Sequence, residues 1–135
     1  MAERIGVVVV GTGYATEFLH LPSLARIPEV RIVGIVSRSL EKARLVARRF
    51  GIEDCYTDFN QALKREDVCV VDLNLPTFLH KDYVIRAAES GKHVLCEKPM
   101  ATTLREADEM IDAVGSAGTK LMIAHVLRFW PDYVK

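Results

Sequence analysis

The chain has 135 residues, half of them hydrophobic and about a quarter charged, which is enough to bury one core in a single globular domain and too apolar for a disordered tail. Eighteen Lys and Arg balance eighteen Asp and Glu, so there is no basic field to draw the protein to nucleic acid or anionic lipid, and a small-molecule partner is the better expectation. The apolar run from Gly6 to Val10 is shorter than a signal-peptide core and no stretch is long enough to cross a membrane, so a cytoplasmic location is expected.

Short runs rich in Val and Ile alternate with segments of helical period along the chain, the pattern of buried parallel strands joined by helices. Strands are expected near Ile5–Val10, Val30–Val36, Asp54–Tyr56, Val68–Leu73, His93–Cys96 and Lys120–His125. Between them Ala43, Val46, Ala47 and Phe50 recur at i, i+3, i+4, i+7, and Leu104, Ala107, Ile111 and Val114 mark a second helical stripe. Gly51 and Gly91 stand where helix ends take a left-handed residue, and Thr103 with Glu106 fits a capping box. The spacer around Phe59–Leu63 is the shortest crossover. Right-handed crossovers then give an α/β, doubly wound, six-stranded parallel sheet of the Rossmann type, in the order 3-2-1-4-5-6. Cys55, Cys69 and Cys96 lack the close Cys or His pairs of a zinc site and read as reduced core thiols, with no metal site expected.

The first strand runs into GTGYAT, Gly11 to Thr16. Gly11 and Gly13 match the first two glycines of a dinucleotide fingerprint, one for the tight turn and one for close approach to a pyrophosphate. Thr12, Gly13, Tyr14 and Ala15 lead into a helix whose first amides point at that negative charge. Thr16 takes the third position, where it either loosens helix–strand packing or brings a hydroxyl to a phosphate. A lone Gly-x-Gly is also a plain turn; its place after the first of six alternating strands gives it meaning.

The end of the second strand, where such sites carry an acid for the adenosine ribose, reads Ser37-Arg38-Ser39. With no carboxylate to repel it, a 2′-phosphate can be met by the Arg38 guanidinium and the hydroxyls of Ser37 or Ser39, which favours NADP over NAD. The plainer reading has Ser39 capping the next helix and Arg38 in solvent. Ligands of these sheets sit outside the carboxyl ends of the strands, which singles out Glu97, Lys98 and Pro99 after the fifth; Asn74 and Pro76, after the fourth, are also candidates for the cofactor site. An alcohol that loses hydride also loses its hydroxyl proton, and Lys98 is the amine to polarise that oxygen or take the proton. Glu97 is a candidate acceptor for ribose hydroxyls; a surface Glu-Lys before a helix-opening proline is the alternative. His80 shares a helical face with Val84, Ala87 and Ala88, which by itself reads as a core-packed imidazole.

At Cys96-Glu97-Lys98-Pro99 the sequence resembles the Gfo/Idh/MocA oxidoreductases, and it does so along nearly the whole chain. The similar segments are GTGYAT, PTFLH (Pro76 to His80), GKHVLCEKPM and RFWPDY (Arg128 to Tyr133). The resemblance implies NAD(P) as cofactor, with NADP preferred, hydride exchange with a sugar, polyol or related alcohol/carbonyl substrate, and a homo-oligomeric whole protein. It implies that Lys98 lies between nicotinamide and substrate, that His80 joins it from the crevice rim, and that Glu97 contacts the cofactor ribose. Pro76 to His80 would border the nicotinamide, Arg128 would touch the cofactor, and the Lys98–Pro99 peptide would be cis. Leu75, Thr77 and Ser37 depart from the common pattern. Relatives of this fold also include a dinucleotide-binding regulator without turnover and enzymes that cleave glycosides with held NAD, and both stay open as alternatives. Because the family continues into a second domain, residues 1–125 are expected to form the dinucleotide-binding domain. Residues 126–135 then begin a connection to an absent C-terminal substrate domain, and Phe129 and Trp130, which would pack near it, are expected to be exposed, disordered or buried in a dimer contact.

Overall fold

The computed structural model describes residues 3–134. Six strands, β1 (Ile5–Val10), β2 (Val30–Val36), β3 (Cys55–Tyr56), β4 (Val70–Leu73), β5 (His93–Cys96) and β6 (Leu121–Ile123), pair in parallel in the order 3-2-1-4-5-6. A π-helical turn at Thr16–His20 leads into α1 (Leu21–Leu24), and the later connections carry α2 (Leu40–Phe50), α3 (Phe59–Leu63), α4 (His80–Glu89) and α5 (Leu104–Ala117). The chain leaves β1 toward β2 and later returns to β4 on its other side, so the direction of winding reverses between β1 and β4. A crevice opens there at the carboxyl edge.

Alternation along β1 divides the core. Val7 and Val9 pack with Leu21, Ile35, Ala43, Val46 and Ala47, while Val8 and Val10 pack with Phe59, Val84, Ala87, Met110 and Val114. The boundaries of α2 follow local chemistry: the Ser39 hydroxyl accepts from the Lys42 amide at 3.2 Å, and Gly51 ends the helix at φ 65°. Thr103 caps α5 by accepting from the Glu106 amide at 3.1 Å, but the Glu106 carboxylate returns to the Thr102 amide at 3.0 Å, one residue before the cap. The Thr102 hydrogen bonds hold the Glu106 carboxyl below the ordinary carboxylate range.

Several expectations shift. The last strand stops at Ile123 because the His125 amide turns back onto the Ile123 carbonyl at 2.7 Å and a 3-10 turn follows at Val126–Phe129. The fourth begins at Val70, two residues later than expected, although the Cys69 amide already donates to the Gly6 carbonyl of β1 at 2.8 Å. The stripe expected on α5 is rotated: Leu104 is 86% and Ile111 56% exposed, and the helix meets the core through Met110, Ala113 and Val114. All three cysteines are free, but only Cys96 is buried and Cys69 lies on the surface. Phe129 and Trp130 are exposed.

At the start of β1 a Cβ on Gly6 would lie 1.7 Å from the Asp67 carbonyl oxygen, whereas one on Gly51 would meet nothing within 4 Å. Gly6→Ala should therefore lower stability by about 3 kcal/mol or more, since the obstructing atom is backbone. Gly51→Ala should cost only about 1–2 kcal/mol for its left-handed conformation. Thermal unfolding of the two variants checks the order, and a larger loss at Gly51 would contradict the close approach of β1 to the turn before β4.

Candidate dinucleotide-binding and active site

The glycine turn lies at the floor of the crevice. Gly11 has φ 110°, and a Cβ there would lie 2.2 Å from the Asn74 carbonyl oxygen, so both backbone conformation and space demand glycine. Gly13 differs. Its φ is not in the positive range and a Cβ on it would meet nothing within 4 Å. Among the described residues no contact calls for that glycine, and a backbone left open in this way has room for a ligand to approach closely. Ala15, half-buried, precedes the π-helical turn, and Tyr14 is exposed with its ring centroid 4.8 Å from that of Phe18.

Thr12 is buried, and its Oγ1 lies 2.9 Å from the Ser37 Oγ, either hydroxyl donating. The Ser39 amide also donates to the Ser37 Oγ at 3.3 Å. This hydroxyl pair joins the glycine turn to the end of β2, with Arg38 exposed beside it. Ser39 does cap α2, so that part of the plainer reading holds. Thr16 does not offer its hydroxyl to a phosphate: it is fully buried and its Oγ1 has no partner among the described residues. Thr16 opens a π-helical turn, in which the Leu21 amide donates to the Thr16 carbonyl.

After β4, the Asn74 amide donates to the Val10 carbonyl at 2.8 Å, but its side-chain Nδ2 and Oδ1 are buried and unpartnered among the described residues. An unpaired donor and acceptor at this edge suit a polar group entering the crevice, and together with Gly13 they fit a dinucleotide. Pro76 is exposed on the same loop.

A buried chain of charges lies under the segment after β5. Asp72, in the middle of β4, is fully buried. The His20 Nδ1 donates to its Oδ1 at 2.9 Å and Oδ2 at 3.0 Å, and the His20 Nε2 donates to the Glu97 Oε1 at 2.8 Å. Both ring nitrogens face carboxylates, so the imidazolium is the form that satisfies them. Burial works against its charge, but the hydrogen bonds and charges of Asp72 and then Glu97 prevail and raise the His20 pKa to about 9. The other Glu97 oxygen, Oε2, accepts from the Lys98 amide at 2.8 Å. Lys98 itself is exposed, and the Lys98–Pro99 peptide is cis. The neighbouring Cys96 thiol is pushed up to about 12 by burial and by the Glu97 and Asp72 charges, so it stays protonated. Neither His20 nor Asp72 was among the residues expected from sequence. The available signal was a lone acid inside the apolar run VVDL, which a buried strand carries only with a partner.

His80 opens α4 but is not at the crevice rim. It is fully buried, with Nδ1 3.0 Å from the Pro99 carbonyl and 3.2 Å from that of Met100, and Nε2 2.8 Å from that of Leu75. Enclosed by three backbone carbonyls, it braces the loops after β4 and β5 and lies behind the crevice rim at which it was expected. Arg128 and His125 are exposed beyond β6, three strands from β1, and the structure does not bring Arg128 to the glycine turn.

An open doubly wound sheet with a glycine turn, an unpaired carboxamide and a Glu-Lys segment at one carboxyl edge defines a dinucleotide-binding domain. Residues 5–125 match the oxidoreductase family with an NAD-binding Rossmann fold, and the chain belongs to it: this is a Gfo/Idh/MocA NAD(P)-binding oxidoreductase domain. It is 32% identical over 125 residues to scyllo-inositol 2-dehydrogenase (NADP(+)) IolU of Bacillus subtilis, covering 93% of this chain and 38% of the relative. KijD10, a 3-ketoreductase from Actinomadura kijaniata solved with NADP, superposes with a TM-score of 0.92 at 31% identity, over 97% of this chain and 42% of that one. GenD2 from gentamicin A biosynthesis, solved with NAD, superposes with a TM-score of 0.93 at 28% identity, over 99% and 38%. The chain spans from a quarter to two fifths of the length of the curated relatives it matches.

The charge chain makes stability depend on pH. The pKa of His20 rises from an ordinary value of 6.5 to about 9 in the folded state. Its contribution is therefore complete below pH 6.5 and is lost as pH climbs through 9, amounting to roughly 3 kcal/mol at the acid end. Denaturant unfolding between pH 6 and 10 should show His20→Gln less stable than the unchanged protein by about that amount at pH 6.5. The gap should narrow toward pH 9.5. Cys96 adds to the alkaline loss in both proteins, so the difference between them reports His20.

Proposed function

We propose that this chain is the cofactor half of an NADP-preferring dehydrogenase or reductase acting on a sugar, polyol or related alcohol/carbonyl pair. The observation that carries the proposal is the single edge at which Gly13 leaves open backbone, Ser37 and Arg38 stand without a carboxylate, and Lys98 lies two residues past the end of β5. Residues 1–125 would form the dinucleotide domain of a cytoplasmic, homo-oligomeric protein, and residues 126–135 would start the connection to a substrate domain. The greater length of the relatives supports this division.

NADP, when bound, supplies the acceptor or donor of hydride. The amides after Gly11 would hold its phosphates, the Ser37 hydroxyl and Arg38 would meet the charge at the ribose, and the Asn74 carboxamide would take a polar group in the crevice. Lys98 would polarise the substrate oxygen and take or return its proton at Nζ. Glu97 has both oxygens engaged, one by His20 and one by the Lys98 amide, so it approaches a ribose hydroxyl only through its remaining lone pairs.

Titration with NADP and NAD should show tighter binding of NADP by roughly 1.5–3 kcal/mol, the range of a hydrogen bond to a charged group. Arg38→Ala should remove most of the difference, and Gly13→Ala should weaken both cofactors without changing the unfolding temperature. Equal affinities in the unmutated protein would rule out the preference. In the complete protein, steady-state reduction of NADP with added sugar alcohols should fall by about 10²–10⁴-fold in Lys98→Ala, the usual contribution of acid–base catalysis.

A further inference from the structure

We propose that His20 is a positioning residue for Lys98: by tying the Glu97 carboxylate to Asp72, it holds that carboxylate on the Lys98 amide and fixes the point from which the lysine side chain starts. The anchor of this chain is rigid. Asp72 sits in β4 between Val9 of β1 and Leu95 of β5, fully buried, and it cannot turn to another partner. His20 is held by the π-helical turn and by Leu21 next to it, which is fully buried. A glutamate just past a strand end ordinarily samples several rotamers. Here one oxygen is 2.8 Å from the His20 Nε2 and the other 2.8 Å from the Lys98 amide, which leaves it one orientation.

The clamp needs both ring hydrogens. A neutral imidazole that keeps Nδ1–H on Asp72 turns the Nε2 lone pair toward the Glu97 Oε1, and the carboxylate is then released. The charged groups that act on His20 are Asp72 from β4 and Glu97 just past β5; Cys96, the last residue of β5, feels the same two carboxylates and remains a thiol. Ionisation of His20 should therefore be felt at the Lys98 amide. The bearing of this clamp on hydride transfer rests on the reading of Lys98 as the substrate-facing amine; its effect on the amide does not.

The protein labelled with 15N-lysine gives a Lys98 amide signal that is identified by its loss in Lys98→Arg. Between pH 6 and 10 that signal should move in one step near pH 9, and in His20→Gln the step should vanish. A signal that stays still in the unmutated protein, or the same step in both proteins, would overturn the proposal. If His20→Gln does not fold, Asp72→Asn keeps the shape without the charge: its step should fall at least one pH unit lower, and an unchanged midpoint would overturn the proposal equally. Full hydride transfer in Lys98→Ala, with the amide step intact in the protein that retains Lys98, would instead refute the role given to Lys98 and leave the clamp standing.

Discussion

β1 runs between β2 and β4, and at both ends it comes so close to the β4 side that no side chain fits, Gly6 meeting the Asp67 carbonyl and Gly11 that of Asn74. The upper approach controls the site. The Gly11 amide donates to the Val36 carbonyl at 2.9 Å and the Asn74 amide to the Val10 carbonyl at 2.8 Å, so the ends of three strands are locked at one level. From that level the glycine turn can leave in only one direction, and the amides from Thr12 to Ala15 follow it. A wider gap between β1 and β4 would unseat the turn and move Asn74 away from it.

Two imidazoles then hold the segment from Glu97 to Met100, and they do so by different means. His20 lies between two carboxylates and fixes a side chain, whereas His80 lies among three carbonyls and fixes main chain. Both are largely or fully buried, so their bonds are shielded from water and geometrically demanding. Lys98 sits between the two held points and is itself exposed. Its side chain therefore starts from a fixed point and keeps a free end.

The cofactor end is built on uncharged groups. Thr12 and Ser37 join the glycine turn to β2 by one hydroxyl contact of 2.9 Å, at the level where an acid would repel a second phosphate. Neither hydroxyl carries charge, and the charged residue next to them in the chain is Arg38, which is exposed.

Sequence alone determined what depends on neighbours along the chain. The Val and Ile runs with their spacers placed the six strands along the chain, the Ser39 and Gly51 caps bounded α2, and Gly11 marked the turn, because period, capping and left-handed backbone are short-range properties, while the order of the strands followed from the handedness of their crossovers. It was less informative where several residues compete for one face. Leu104 and Ile111 made the more apolar stripe on α5, but packing against the core selected Met110, Ala113 and Val114. Only the tertiary structure decided the partners of the buried polar groups. His20 and Asp72 are 52 positions apart, and His80 reaches the Pro99 carbonyl 19 positions away, so no local pattern reveals that one imidazole meets carboxylates and the other carbonyls. A buried charge or ring nitrogen must be satisfied by whatever the fold brings beside it, and that choice is made in space, where the carboxyl ends of the strands converge.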